Sequence, residues 1–192
     1  MTILSVFNGK GGSGKSTVAE VLGVELGASW IDTDPQGSLS VWGSRRDTAV
    51  VHSADGPDAA TLASTLSGLV VIDTPGVLTT ASLDVLQVAD LILIPTSNRQ
   101  NDLDALTQTV DVVRDLGARA VFILTRVHPR LKVESMAELL APLQVPLCPY
   151  RLAERVAYDH AASLGMTASE LEPDGPAAEE SRLVAQWVMG HV

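Results

Sequence analysis

The feature that most restricts the fold is the run "GKGGSGKST" at residues 9 to 17. A short β-branched, apolar stretch, "ILSVF" (3–7), precedes it, and an apolar helical pattern over 15–27 follows it. The run fits G-x-x-x-x-G-K-S/T through Gly9, Gly14, Lys15 and Ser16. That spacing lets the backbone N–H groups of Gly11, Gly12, Ser13 and Gly14 turn inward around a phosphate, at a helix N-terminus whose dipole favours negative charge. Lys15 is then expected to reach the β- and γ-phosphates, Ser16 to ligate Mg²⁺ through its hydroxyl, and Thr17 to contact the α-phosphate. An unrelated glycine turn is the competing reading. A second lysine, Lys10, lies five positions before Lys15, and a phosphate loop alone gives it no task.

A strand–loop–helix unit of this kind needs a parallel sheet around it. "LVVID" (69–73), "LILIP" (91–95) and "AVFILT" (120–125) are continuous apolar runs, as strands buried on both faces require, and "SWID" (29–32) is a further candidate. Helical patterns fall between them at 15–27, about 79–88, 101–116 and 132–141. In the third, Leu103, Leu106, Val110 and Val113 share one face, with Asn101 or Asp102 to cap its start and Gly117 to end it. The alternation predicts a doubly wound, mostly parallel α/β sheet flanked by helices, in a single domain over 1–192. "DTAVVHSADGPDAA" (47–60) and "ELEPDGPAAEES" (170–181) read as surface excursions. "SRLVAQWVMGHV" (181–192) reads as a helix packed back on the body.

Two acidic elements complete the chemistry. Asp73, after four apolar residues and before "TPG", has the Walker-B placement that holds a metal's water shell. Asp32 and Asp34 end a short strand in "WIDTDPQGS", where they can act on the metal or the attacking water. For Asp73 a strand-end helix or turn cap is the competing reading, and its position directly before "TPG" favours a nucleotide-sensing turn. For Asp32 or Asp34 alone an Asx-type turn cap is the alternative, which explains the pair less well.

Composition then narrows the class. The apolar runs are strand-sized, far below the roughly 20 residues of a membrane helix, and no secretory leader pattern opens the chain. A single cysteine, Cys148, excludes an internal disulfide and a multi-thiolate metal cluster. A cytoplasmic protein is expected. The net charge of −10 argues against a generally basic surface, but residues 99–155 hold eight of the 13 Lys and Arg. After Arg155 there is one Arg against six acids.

"KGGSGKST" with its early Lys10, "DTDPQGS" and "VVIDTPG" together resemble the deviant Walker-A ATPases of the ParA/MinD group, over residues 3 to about 165. The small size, with no N-terminal helix-turn-helix, is most like the small ParA-type partition ATPases. The resemblance implies a P-loop NTPase fold, an ATP hydrolase using ATP and Mg²⁺, and a homodimer with ATP sandwiched between the subunits. It implies that Lys10 crosses to the partner's phosphates and that Gly11 is small because the partner's loop approaches. Asp34 would activate the hydrolytic water, with Asp32 and Asp73 serving the metal through water. Thr125 and Arg126 match the place where adenine rests. Arg155 in "PYRLAERVAYDHAASLG" (149–165) matches a basic DNA contact, and Arg151, Arg130 and Lys132 are further candidates.

The implied function is DNA segregation. An ATP-bound dimer would coat nonspecific double-stranded DNA on the nucleoid, and a ParB-like adaptor would stimulate hydrolysis. One alternative is positioning of a protein cargo such as a chemoreceptor cluster or microcompartment. Another is a metabolic P-loop ligase, although His52, His128, His160 and His191 are scattered rather than clustered. A nitrogenase-reductase-like protein would need two cluster cysteines. A MinD-like membrane anchor would need a basic amphipathic end, whereas "EESRLVAQWVMGHV" has one Arg and two Glu. No membrane partner is expected.

Overall fold

In the computed structural model, residues 1–47 and 50–192 are described, with the side chains of residues 101, 102, 104 and 105 left aside. Seven parallel strands form one sheet in the order β3-β2-β4-β1-β5-β6-β7. They are β1 (Thr2–Val6), β2 (Ser29–Asp32), β3 (Val51–Ser53), β4 (Leu69–Asp73), β5 (Leu91–Thr96), β6 (Ala120–Val127) and β7 (Leu147–Ala153). The helices are α1 (Lys15–Leu26), α2 (Ser38–Gly43), α3 (Gly56–Thr65), α4 (Thr80–Gln87), α5 (Gln100–Asp115), α6 (Val133–Leu140), α7 (Val156–Ser163), α8 (Ala168–Leu171) and α9 (Pro176–Met189). The doubly wound reading therefore holds.

Alternation along the central strands sorts the core. Leu4, Val6, Val71, Leu91, Leu93, Val121 and Ile123 pack with Val18 and Leu22 of α1 and Val184 and Val188 of α9. On the other face, Ile3, Val70 and Ile72 pack with Ala59 and Ala63 of α3 and Val85 of α4. Ile92, Ile94, Phe122 and Leu124 pack with Leu106 and Val110 of α5 and Met136 of α6. Both sheet faces are dry, which is why these strands read as unbroken apolar runs.

Three expectations change. The 47–60 stretch is not simply an excursion: it contributes β3 and the start of α3, whose Pro57 lies in the first turn, where a missing N–H costs nothing. Of that stretch, residues 48 and 49 lie outside the described residues. Segment 170–181 similarly holds the end of α8 and the first turns of α9. Helix α5 begins at Gln100 with Arg99 as its N-cap, one or two residues before Asn101 and Asp102, whose side chains lie outside those described. Gly117 does end it, at φ 62°. Among the described residues, no helix is long and apolar enough to cross a membrane.

Because every strand runs the same way, the loops after β1, β2, β4, β5, β6 and β7 gather at one edge. The order changes direction at β1, and in such sheets ligands lie at that edge.

Candidate functional site

The loop from Gly9 to Gly14 joins β1 to α1. Gly14 precedes the helix at φ 89°, and a Cβ there would come within 3.2 Å of Thr125. Both facts call for glycine. Thr125 braces the loop from below, donating its hydroxyl to the Ser13 carbonyl at 2.7 Å. Arg126 braces it from above, with Nη1 donating to the Gly12 carbonyl at 3.0 Å.

Lys15 opens α1 with its side chain almost wholly buried, and its Nζ donates to the Lys10 carbonyl at 3.1 Å. Burial lowers its pKa, opposed by the charges of Asp73 and Asp34. One residue on, Ser16 Oγ donates to Asp73 Oδ2 at 2.7 Å. Asp73 is 1% exposed, and its other oxygen, Oδ1, is buried without a hydrogen-bond partner among the described residues. Burial pushes this carboxyl up to about 7; the Ser16 hydroxyl opposes the shift and the nearby Asp32 adds to it. A hydroxyl and an under-satisfied carboxylate, side by side beneath a lysine, form the hard oxygen donor set that Mg²⁺ takes with a nucleotide. The residues present therefore fit the Mg²⁺-nucleotide pair.

The two aspartates after β2 divide. Asp32 is buried and fully committed to backbone: Oδ1 accepts from the Asp34 N–H at 3.0 Å and Oδ2 from the Ser40 N–H at 2.7 Å. The turn cap explains both hydrogen bonds. Asp34 is half-buried, accepts from the Gln36 N–H at 2.9 Å, and faces the phosphate loop across a cavity of about 610 Å³. Gly76 closes that cavity from the β4 side. A Cβ on Gly76 would sit 3.0 Å from the Cα and N of Gly11, so the two loops touch through bare backbone. At Gly11 itself a Cβ would meet nothing within 4 Å among the described residues. Lys10 is half-buried beside it.

A second cavity of about 270 Å³ adjoins the first and shares Gly14, Thr17 and Arg126 with it. Its far wall is the β7–α7 connection, including Leu152, Ala153, Arg155 and Tyr158. Arg126 thus stands where the two cavities meet, and Thr125 lines the second.

The four basic candidates are placed differently. Arg155 is bound to Glu180 of α9, Nη2 to Oε1 at 2.7 Å and Nε to Oε2 at 3.1 Å. Arg151 donates through Nη1 to the Leu131 carbonyl. Arg130 and Lys132 are exposed on the loop after β6. Ser40, Gly76 and Glu180 are not singled out by the sequence reading. Gly76 was findable, as the glycine of "DTPG". The other two act on residues 8 and 25 positions away in the chain, which no local pattern reports.

Residues 4–167 match the CobQ/CobB/MinD/ParA nucleotide binding domain. The chain belongs to this family. Among members of the ParA/MinD group, it is 34% identical over 193 residues to the Maintenance of carboxysome distribution protein A of Gloeobacter kilaueensis, covering 90% of this chain and 89% of that protein. It is 26% identical over 179 residues to Protein ParA of Rhizobium radiobacter, covering 82% and 81%. In fold it is similar to the septum site-determining protein MinD of Pyrococcus horikoshii, solved with Mg-ADP. That likeness has a TM-score of 0.78 at 20% identity over 97% of this chain and 95% of the other. The chain is thus a nucleotide-binding protein of ParA/MinD type, and the cofactor pair expected from the sequence, ATP with Mg²⁺, suits the donor set at Ser16 and Asp73.

Proposed function

We propose that this chain is a single-domain, Mg²⁺-dependent ATP hydrolase that works as a nucleotide-switched dimer to position a cargo. The observation that carries the reading is the Lys15–Ser16–Asp73 cluster set beside Lys10 and Gly11. Lys15 leaves the Lys10 carbonyl to neutralise the β- and γ-phosphates, and its N-terminal helix position adds the backbone N–H groups of the loop. Ser16 and Asp73 would hold Mg²⁺, the hydroxyl directly and the carboxylate through water, and the metal would supply positive charge to the phosphates. Asp34, across the cavity, orients the attacking water, and Asp32 keeps the Asp34 loop in register through its two hydrogen bonds to backbone.

Lys10 has a different task, charge stabilisation across the dimer at the partner's phosphates. Gly11 supports this: among the described residues no neighbour demands its small size, which suits the approach of a second copy. ATP thereby joins two subunits, and hydrolysis separates them.

The dimer's track is nonspecific double-stranded DNA, met through phosphate contacts that Arg130 and Lys132 are exposed enough to make. A ParB-like adaptor would couple hydrolysis to the cargo. A protein assembly is favoured as that cargo by the relative named for carboxysome distribution, 34% identical over nearly the whole chain; plasmid or chromosomal DNA is the other reading.

The test is DNA retention with ATP, ADP and no nucleotide across a salt series. ATP-dependent, salt-weakened retention is expected. Retention that ignores nucleotide would remove the DNA part of the reading, and turnover that requires a small-molecule acceptor would replace it with a ligase.

A further inference from the structure

We propose that Glu180 is a positioning residue for the nucleobase: from α9 it holds the β7–α7 connection in place as the wall of the pocket beside the phosphate loop. The proposal rests on the reading that the base of ATP occupies that pocket.

The pocket needs such a hold. Its far wall spans the end of β7, an edge strand, and the start of α7, whose N-cap Arg155 makes no side-chain capping bond. Backbone bonds hold the turn only at Glu154, whose N–H donates to the Val127 carbonyl at 2.8 Å, and at the first turn of α7, where the Tyr158 N–H donates to the Arg155 carbonyl at 3.2 Å, among the described residues. Glu180 adds a side-chain hold from 25 residues away. Its Oε2 accepts from the Ala153 N–H at 3.2 Å and from Arg155 Nε at 3.1 Å, and its Oε1 accepts from Arg155 Nη2 at 2.7 Å. The Tyr158 hydroxyl lies 3.3 Å from Oε2 and 3.1 Å from the Ala177 carbonyl, also on α9. Ala153, Arg155 and Tyr158 all line the pocket, whereas Glu180 does not. One carboxylate therefore sets three wall residues without touching what they enclose.

The arrangement is also firm. The Arg155 and Glu180 side chains are 25% and 15% exposed, so this forked, charge-assisted pair is partly desolvated. Glu180 also raises the pKa of Arg155, as expected for a guanidinium held by a carboxylate. Helix α9 is itself anchored, with Val184 and Val188 buried against the sheet and α1. A glutamine cannot replace the carboxylate. Its single carbonyl oxygen serves at most two of these donors, and its NH₂ would face another donor.

Arg155, which the resemblance links to DNA, thus has two of its nitrogens engaged with Glu180 inside the chain.

The experiment uses the full chain with Mg²⁺ and compares affinities for ATP, GTP and inorganic tripolyphosphate by calorimetry, alongside Tm. Glu180→Gln is expected to weaken ATP by about tenfold and to narrow the ATP-to-GTP ratio, while tripolyphosphate changes by less than about twofold. Arg155→Lys, which loses the fork but keeps the charge, is expected to fall in between, and it carries the test if Glu180→Gln does not fold. Equal losses for ATP and tripolyphosphate would mean a general structural role and overturn the proposal, as would no loss at all. If the unaltered protein binds tripolyphosphate as tightly as ATP, the base pocket itself is wrong, and the proposal falls with it.

Discussion

Ser16 Oγ lies 2.7 Å from Asp73 Oδ2, joining the first turn of α1 to the end of β4. The bond ties the phosphate loop to a neighbouring strand end, and it leaves Asp73 Oδ1 with no partner. Asp73→Asn keeps the shape but gives up the charge. We expect it to lower Mg²⁺-dependent ATP affinity by about ten- to a hundredfold while nucleotide binding in EDTA changes little, because charge-assisted hydrogen bonds are worth about 1.5–3 kcal/mol. Titration calorimetry with and without the metal checks this. An equal loss in EDTA would mean that the substitution had disturbed the loop rather than the metal site.

Gly11 and Gly76 separate what one chain needs from what two need. Gly76→Ala must move Gly11 or its own loop, since its Cβ would stand 3.0 Å from the Gly11 backbone. Weaker ATP binding by the monomer is the expected result. Gly11→Ala meets no neighbour within 4 Å and should leave monomer binding and Tm unchanged, with the loss appearing only in ATP-induced association. Sizing and nucleotide affinity measured on the same two variants would expose any reversal of this pattern.

Glu20, on the inner side of α1, provides a pH dependence. Burial pushes its carboxyl up to about 8, with Asp73 adding to the shift and Arg46 and Arg45 opposing it. The folded chain keeps this proton where the unfolded chain, titrating near 4.5, has lost it. The Glu20 contribution to stability is therefore full below about pH 4.5, falls as pH rises towards 8, then levels off. At about 1.4 kcal/mol per pKa unit, the shift corresponds to a total of order 5 kcal/mol. Glu20→Gln should flatten this slope and be the more stable protein at pH 8 in urea unfolding. A parallel slope in the variant would assign the dependence elsewhere.

Arg130→Ala with Lys132→Ala should weaken ATP-dependent DNA retention and reduce its salt slope by about two, one for each phosphate left without its cation. Arg155→Ala, compared at saturating ATP, should leave that slope unchanged, because the guanidinium it removes faces Glu180. A slope reduced by about one in Arg155→Ala would make Arg155 a DNA contact.

Much of this frame is legible in the sequence. Strands β1, β4, β5 and β6 announce themselves because both of their faces are buried, and α1 follows its glycine loop by necessity. Strand β7 does not: it lies at the sheet edge with Pro149 and Tyr150 exposed, so its apolar run is broken. Helix α3 is hidden by "DGPDAA", in which a proline that starts a helix looks like one that turns a loop. At the site, motif spacing picks out Lys15, Ser16 and Asp73. It does not show that Asp32 spends both oxygens on backbone N–H groups, or that Glu180 claims Arg155. Those are long-range choices made by packing, and only the folded chain displays them.

Lys10 completes the site of a second copy, and sizing by light scattering checks this. With ATP and Mg²⁺ the 20.2 kDa chain is expected to double its mass, ADP to leave it single, and Lys10→Ala to bind ATP yet stay single or fail to hydrolyse it. An unaltered protein that remains at the monomer mass with saturating ATP, or a Lys10→Ala variant that dimerises and turns over normally, would contradict it.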